Sequence, residues 1–538
     1  MKGQKLVILG VVFAAALVTG GWLLQRDTTP SGSVYQQARL FDDVLAHVAD
    51  YYVDSIDEAR LYGMAIDGLL DQLHDPYSVY LKPDDFHELS EQISGDYGGL
   101  GFQFEVRDNF VAVVAPLPDT PAERAGLQSG DEITALNGQP TAGWKNDDVF
   151  KKMRGPAGTS VTLTVRRPGV DQPLTFKITR ARIHVRSVGL VMMLDDKVGY
   201  IAMSPVSDSS ASEVAQAVDS LSHAGMKALI FDLRGNPGGS LTQGVGVSDL
   251  FLNPGQEVVA TKGRAPNSNA EYRDDRPQRW PNLPVVVLVN GFTASAAEII
   301  SGALQDHDRA LVVGTPTWGK GLVQSVWQLT PETALKLTTA RWYTPSGRTI
   351  QRASTSEEDQ AAQVMAAARG KDTIPLDTTL VYHTDDGRKE YGGGGIRPDL
   401  FVSPDTFSTA EQAFNKAIGA KAPIYADVLS GYAVDAKVHH LVSSPEFTVT
   451  DAMANEVLRR LTARGVTFPP GVLEGARTLF RQEIGYEVAR YAFGRIGEFR
   501  RRVGDDRQVQ DALDLARRAR SPQELLTLGA ESAAKSGR

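Results

Sequence analysis

Ser295 lies in the run Leu283-Pro284-Val285-Val286-Val287-Leu288-Val289-Asn290-Gly291-Phe292-Thr293-Ala294-Ser295-Ala296-Ala297-Glu298-Ile299-Ile300. The apolar stretch reads as a buried strand, Asn290-Gly291 as a turn, and the residues after Ser295 as an amphipathic helix. A serine at such a helix start most often caps it by accepting from unpaired N–H groups. The same position suits a nucleophile, because those N–H groups face a developing oxyanion. The segment Gly314-Thr315-Pro316-Thr317-Trp318-Gly319-Lys320-Gly321-Leu322-Val323-Gln324 tips the balance toward chemistry. Lys320 sits there among glycines and apolar residues, where desolvation favours a neutral amine able to take the proton of a serine hydroxyl. Gly314 to Lys320 also fits the phosphate-loop spacing G-x-x-x-x-G-K. Gly321, however, occupies the place of the magnesium-binding Ser or Thr, and no helix follows.

Twenty-four residues separate Ser295 from Lys320, and three separate Lys320 from Gln324. In this register the chain resembles the C-terminal processing peptidases, or tail-specific proteases, whose nucleophilic serine, base lysine and supporting glutamine are so spaced. The resemblance assigns Ser295, Lys320 and Gln324 these roles; a neutral Gln324 orients the amine without charging it. It extends to Phe231-Asp232-Leu233-Arg234-Gly235-Asn236-Pro237-Gly238-Gly239, a strand running into a glycine loop. In the family, an N–H of this Gly-Gly pair joins the one after the nucleophile in an oxyanion hole. This implies Gly238 or Gly239 together with Ala296. Further matches are Leu73 to Leu81, Tyr343 to Ile350 and Gly393 to Asp399, although Tyr77 stands where the family has histidine.

A second signature is Gly98-Gly99-Leu100-Gly101-Phe102, followed by Pro121-Ala122, Ala125-Gly126-Leu127, Gly130-Asp131-Glu132-Ile133 and Leu136-Asn137-Gly138. This is similar to a PDZ domain. The resemblance implies that the loop Gly99, Leu100, Gly101, Phe102 offers backbone N–H groups to a terminal carboxylate while the following strand adds the peptide to a sheet edge.

The elements that must hold these residues follow from patterning. Val34 to Ile93 has helical periodicity interrupted by Pro76 and Pro83. From Tyr97 to about Arg182 short alternating strands take over, with one helix over Asp147 to Met153. Residues 184–405 carry buried-looking strands over 198–203, 228–233, 285–289, 310–313 and 334–341, interleaved with helices. Glu357 to Ala368 reads as a surface insertion. Helices over 472–493 and 509–518 mark the remainder. The expectation is an α+β multidomain chain: 1–26 signal peptide or membrane anchor, 34–95 helical region, 97–183 inserted β-rich PDZ domain, 184–405 mixed α/β protease core, and 406–538 helical C-terminal extension.

Composition narrows the function. A chain of 538 residues with net charge −9 is too long for one core and too acidic for a nucleic-acid binder. There is no cysteine, which excludes disulfides and thiol chemistry. No H-E-x-x-H motif occurs, and neither a metal nor another cofactor is expected. Lys2 and Lys5 precede an uncharged apolar run from Leu6 to Leu24, an export signal either cleaved or retained as an inner-membrane anchor. The body is accordingly expected in the periplasm or cell envelope. Its expected partners are polypeptides with apolar C-terminal tails, with an adaptor protein or a second copy of the chain as further candidates. The rival functions are a PDZ scaffold that binds without cutting, and an acyl-transferring or hydratase enzyme. The first has no need of all three residues in register, and the second calls for a cofactor pocket absent from the sequence.

Overall fold

The computed structural model describes residues 34–107, 110–352 and 379–535, together with 362, 365 and 366. The apolar run 6–24 and most of the insertion 357–368 lie outside the described residues. The chain divides into two units between Tyr80 and Leu81. In the first, helices α1 (Val34–Tyr51) and α2 (Glu58–Asp71) follow the expected periodicity, and Asp57 caps α2 by accepting from the Arg60 N–H.

The second unit opens with α3 (Pro83–Ser94), whose first residue is the proline that ends the preceding periodicity. Proline suits this position because the first N–H of a helix has no intrahelical partner. A β module follows, entered through β1 (Asp96–Gly99) and built on β2 (Phe102–Arg107), β3 (Phe110–Pro116) and β4 (Glu132–Leu136). Helix α4 (Asn146–Met153), β5 (Ser160–Arg166) and β6 (Leu174–Thr179) complete it, and β7 (Ala181–His184) leads out. The sheet order β2-β3-β4-β5-β6 leaves β2 at an edge. Alternate residues (Val111, Val113, Ile133, Val161, Leu163, Val165, Ile178) fill its core. The entering β1 and the leaving β7 pair antiparallel, Asp96 opposite His184, and so form a two-stranded stalk.

The stalk leads into a six-stranded mixed sheet. Its strands are β8 (Val188–Met193), β9 (Val198–Met203), β10 (Ala228–Asp232), β13 (Val285–Val289), β14 (Leu311–Gly314) and β17 (Leu400–Phe401), adjacent in that order. Only the β8–β9 pair is antiparallel. Every residue of β10 and β13 is buried, as strands covered on both faces require. One face carries α5 (Ser210–His223), α6 (Leu241–Asp249) and α7 (Ala296–Asp306). A smaller antiparallel sheet of β11 (Glu257–Gly263), β12 (Ala270–Arg273), β15 (Leu322–Gln328) and β16 (Ala334–Tyr343) lies alongside.

Near its C-terminus the chain divides its work. Helix α8 (Ala422–Val438) packs against α9 (Arg477–Asp505) around Tyr425, Leu429, Tyr432, Phe480 and Ile484. Helix α9 extends past the expected end at 493 but breaks at Gly494 (φ 70°, ψ −169°). Helices α10 (Arg507–Arg518) and α11 (Pro522–Lys535) cover the second face of the six-stranded sheet, burying Val509, Leu513, Leu515 and Leu525 against Ile230, Val286, Leu288 and Val313. Among the described residues no helix is long and apolar enough to cross a membrane.

Candidate active site

Ser295 follows β13 through a tight turn. Thr293 N–H donates to the Asn290 carbonyl (2.8 Å), and Thr293 Oγ1 accepts from Asn290 N–H (3.0 Å). At Ser295 itself φ is 53° and ψ −119°, a conformation that costs a non-glycine residue about 1–3 kcal/mol and tends to be held where function needs it. The turn presents the side chain at the entrance of α7. Ser295 and Glu298 stand in capping-box relation at the start of α7, the arrangement expected of a serine at a helix N-terminus.

The Glu298 half of that box does more than close the helix end. Fully buried, it accepts from Ser295 N–H (2.8 Å) and Lys320 N–H (2.9 Å) on Oε2, and from Gly319 N–H (2.7 Å) and the Thr317 hydroxyl (2.5 Å) on Oε1. Burial pushes its pKa above the ordinary carboxyl value, and the four donors oppose that shift. One side chain thus ties the serine turn to the lysine loop. The loop is further fixed by Trp318 N–H to the Thr293 carbonyl (2.9 Å), Trp342 Nε1–H to the Lys320 carbonyl (3.0 Å) and Gly321 N–H to Gln351 (2.8 Å). Gly319 has φ 86°, and a Cβ there would meet Gly395 N and the Ile350 carbonyl oxygen at 3.1 Å, so glycine is required. Lys320 is half-buried. Gln324, on β15 opposite Thr338, has a buried Nε2 with no hydrogen-bond partner among the described residues.

The glycine loop after β10 packs directly on this turn. A Cβ on Gly238 would lie 2.8 Å from both Ser295 Cβ and Ala296 N. Gly238 N–H donates to Asn236 Oδ1 (2.9 Å), whereas Gly239 N–H and Ala296 N–H meet no acceptor among the described residues. The motif charges are anchored: Asp232 takes Tyr200 Oη–H (2.6 Å) and pairs with Arg234 (2.6 Å), which reaches Asp506 at the start of α10 (2.9 Å).

In the β module, Gly99 closes β1, Leu100 is buried, and Gly101 turns with φ 82° against Thr120, whose hydroxyl donates to the Gly101 carbonyl (2.8 Å). The N–H groups of Leu100 and Gly101 meet no acceptor among the described residues. Phe102 begins the edge strand β2, on which Phe104 meets Phe150 of α4 edge-on at 5.2 Å between ring centroids. An open edge strand beside a helix can take an added peptide strand.

The structure places the Ser295 turn, the Lys320 loop and the Gly238 loop side by side, and sequence reasoning misses Glu298, which joins the first two. The signal is present as the capping-box spacing Ser-x-x-Glu. That pattern ordinarily marks a surface helix end, and nothing local shows that the lysine loop folds over it.

Profiles of known families match three parts of the chain: peptidase family S41 over residues 197–359, the PDZ domain over 113–167, and the activating protease CtpB N-terminal domain over 24–84. A carboxy-terminal-processing protease of Bartonella bacilliformis is 38% identical over 349 residues, 64% of this chain and 79% of that protein. The carboxy-terminal processing protease CtpA of Bacillus subtilis is 33% identical over 353 residues, 64% and 74% of the respective chains. Among solved structures, a photosystem II D1 C-terminal processing protease aligns at 26% identity over 71% of this chain and 91% of that one, with a TM-score of 0.36. The chain belongs to the carboxy-terminal-processing proteases of peptidase family S41, serine-type peptidases with a PDZ domain.

Proposed function

We propose that Ser295 is the nucleophile and Lys320 the general base of an endopeptidase that acts on unstructured, apolar C-terminal tails in the cell envelope. The observation that carries this reading is the Glu298 carboxylate, which takes the backbone N–H of both Ser295 and Lys320 and so brings the two segments together. Neutral Lys320 accepts the Ser295 proton as the hydroxyl oxygen attacks the scissile carbonyl. The tetrahedral oxyanion forms against Ala296 N–H and Gly239 N–H; Gly238 N–H, already bonded to Asn236, supports the loop. Protonated Lys320 then donates to the leaving amine, giving an acyl-enzyme, and next takes a proton from the water that hydrolyses it. Gln324, whose Nε2 has no hydrogen-bond partner among the described residues, orients the lysine amine through its side-chain amide. The Gly99–Phe102 loop holds the tail's carboxylate, and β2 pairs with the tail's backbone.

Residues 6–24 direct the chain across the inner membrane and either remain as an anchor or are removed. The blocks 34–95, 97–183, 184–405 and 406–538 serve as helical entry, PDZ module, protease core and helical extension, the last with a role in self-association or adaptor docking. The test is proteolysis of an unfolded reporter with an apolar tail by the chain from residue 28 on and by its Ser295→Ala, Lys320→Ala and Gln324→Ala forms. The first two variants are expected to lose cleavage and the third to retain a small fraction of it. Equal cleavage by all forms would sink the assignment.

A further inference from the structure

At the C-terminal edge of the six-stranded sheet lies a cavity of about 480 Å³ whose wall includes Arg186, Arg234, Arg495, Asn290 and one carboxylate, Asp232, which is engaged by Tyr200 and Arg234. It is assembled from three parts of the chain: the segment leaving the stalk (Arg186), the loops after β10 and β13 (Arg234, Gly235, Asn290), and α9 just past its break at Gly494 (Arg495). The three guanidinium groups are not equivalent. Arg234 is held by Asp232 and Asp506 at 2.6 and 2.9 Å, so its charge is compensated and its position fixed. Among the described residues no carboxylate lies within ion-pair reach of Arg186 or Arg495. The guanidinium of Arg495 is laid over the Gly189 backbone, 3.7 Å from where a Cβ would stand. Arg186 and Arg495 are both exposed and carry hydrated charges, and each offers a substrate carboxylate a charge-assisted, bidentate hydrogen-bonding partner.

The cavity shares its walls with the cradle of Ser295. Asn290 Oδ1 accepts from Gly235 N–H (3.0 Å) and from Phe292 N–H (3.1 Å), and the next residue, Asn236, accepts Ala294 N–H (2.9 Å). A polypeptide extended across Ser295 advances roughly 3.3 Å per residue, and its successive side chains pass over the loops that carry Gly235 and Asn290.

We propose that this cavity is a carboxylate subsite that selects polypeptides carrying Asp or Glu near the scissile bond. The proposal rests on Ser295 as nucleophile, and its test reads a ratio between peptides so that the two fail separately. A series of peptides with one Glu placed in turn at each position around the cut, and the matching Gln series, is digested by the full chain. The same series is digested by Arg186→Gln, Arg495→Gln, the double variant and the double Lys variant. At one register the parent is expected to prefer the Glu peptide roughly tenfold in kcat/KM, a preference that disappears in the double Gln variant, persists in the double Lys variant, and leaves Gln-peptide cleavage unchanged. Equal cleavage of both series by the parent, or equal slowing of both by the double Gln variant, overturns the proposal. Thermal stabilisation of the parent by inorganic phosphate, lost in the double Gln variant with no Glu preference, identifies a free anion as the occupant and overturns it as well. Cleavage surviving Ser295→Ala removes the nucleophile reading instead, whatever the Glu/Gln ratio.

Discussion

Ser295 and Lys320 reach one place because Glu298 takes a backbone donor from each, and the chemistry of that carboxylate is specific. A carboxylate has acceptor sites for four donors; an amide replaces one oxygen with an NH2 that must face two of them. Glu298→Gln therefore keeps the shape and breaks the attachment of either the Ser295–Lys320 pair or the Thr317–Gly319 pair. Misplacing the reacting groups by a fraction of their separation is expected to lower kcat on the order of 100-fold while KM changes little, read by steady-state kinetics on a tail-bearing peptide. A parallel rise in KM with unchanged kcat would contradict the positioning role. Residue types and local pattern make Ser295 and Lys320 legible in the sequence, and the family resemblance adds Gln324. Glu298 is legible only as a cap, because its burial depends on Thr317 and Gly319, 19 and 21 residues away.

The stalk of β1 and β7 connects the PDZ module to the protease core, and His184 fastens it. Its Nδ1 faces Asp96 of β1 at 3.0 Å and its Nε2 faces Glu213 of α5 at 2.8 Å, with the Ser209 hydroxyl at 3.4 Å and Arg182 bonded to the same Asp96. Both ring nitrogens can donate only in the imidazolium form. The hydrogen bond to Glu213, followed by that to Asp96, holds the His184 pKa above its ordinary 6.5. A raised folded-state pKa means that the latch is fully present below 6.5 and is lost as pH rises through the raised value. Amide exchange in 96–99 and 181–184 is therefore expected to accelerate across that interval in the parent and to be pH-insensitive in His184→Gln, after correction for intrinsic rates. Equal profiles would dismiss the latch. The strands themselves follow from alternation, whereas a pairing between residues 88 positions apart has no local sequence signal.

At the scale of the whole molecule, α10 and α11 are part of the protease core's packing, although their sequence reads only as a helical tail. Amphipathic spacing tells that one face is buried and not against what. Leu515 is 2% exposed among the residues covering the parallel sheet. Leu515→Ala is expected to cost about 2–5 kcal/mol in chemical denaturation, and removal of residues 507–538 to yield insoluble protein. A soluble, active truncation would refute the claim that these helices complete the core. The Arg234–Asp506 pair links the same helices to the glycine loop beside Ser295, so the strand ends that carry the candidate site are held from both faces of the sheet. The role of Ser295 as nucleophile is tested most directly by intact-mass spectrometry of rapidly quenched reactions, followed by peptide mapping of the adduct. A transient acyl adduct on Ser295 is expected in the parent, and none in Ser295→Ala or Lys320→Ala. Hydrolysis without any adduct, or an adduct mapped to another residue, would contradict it.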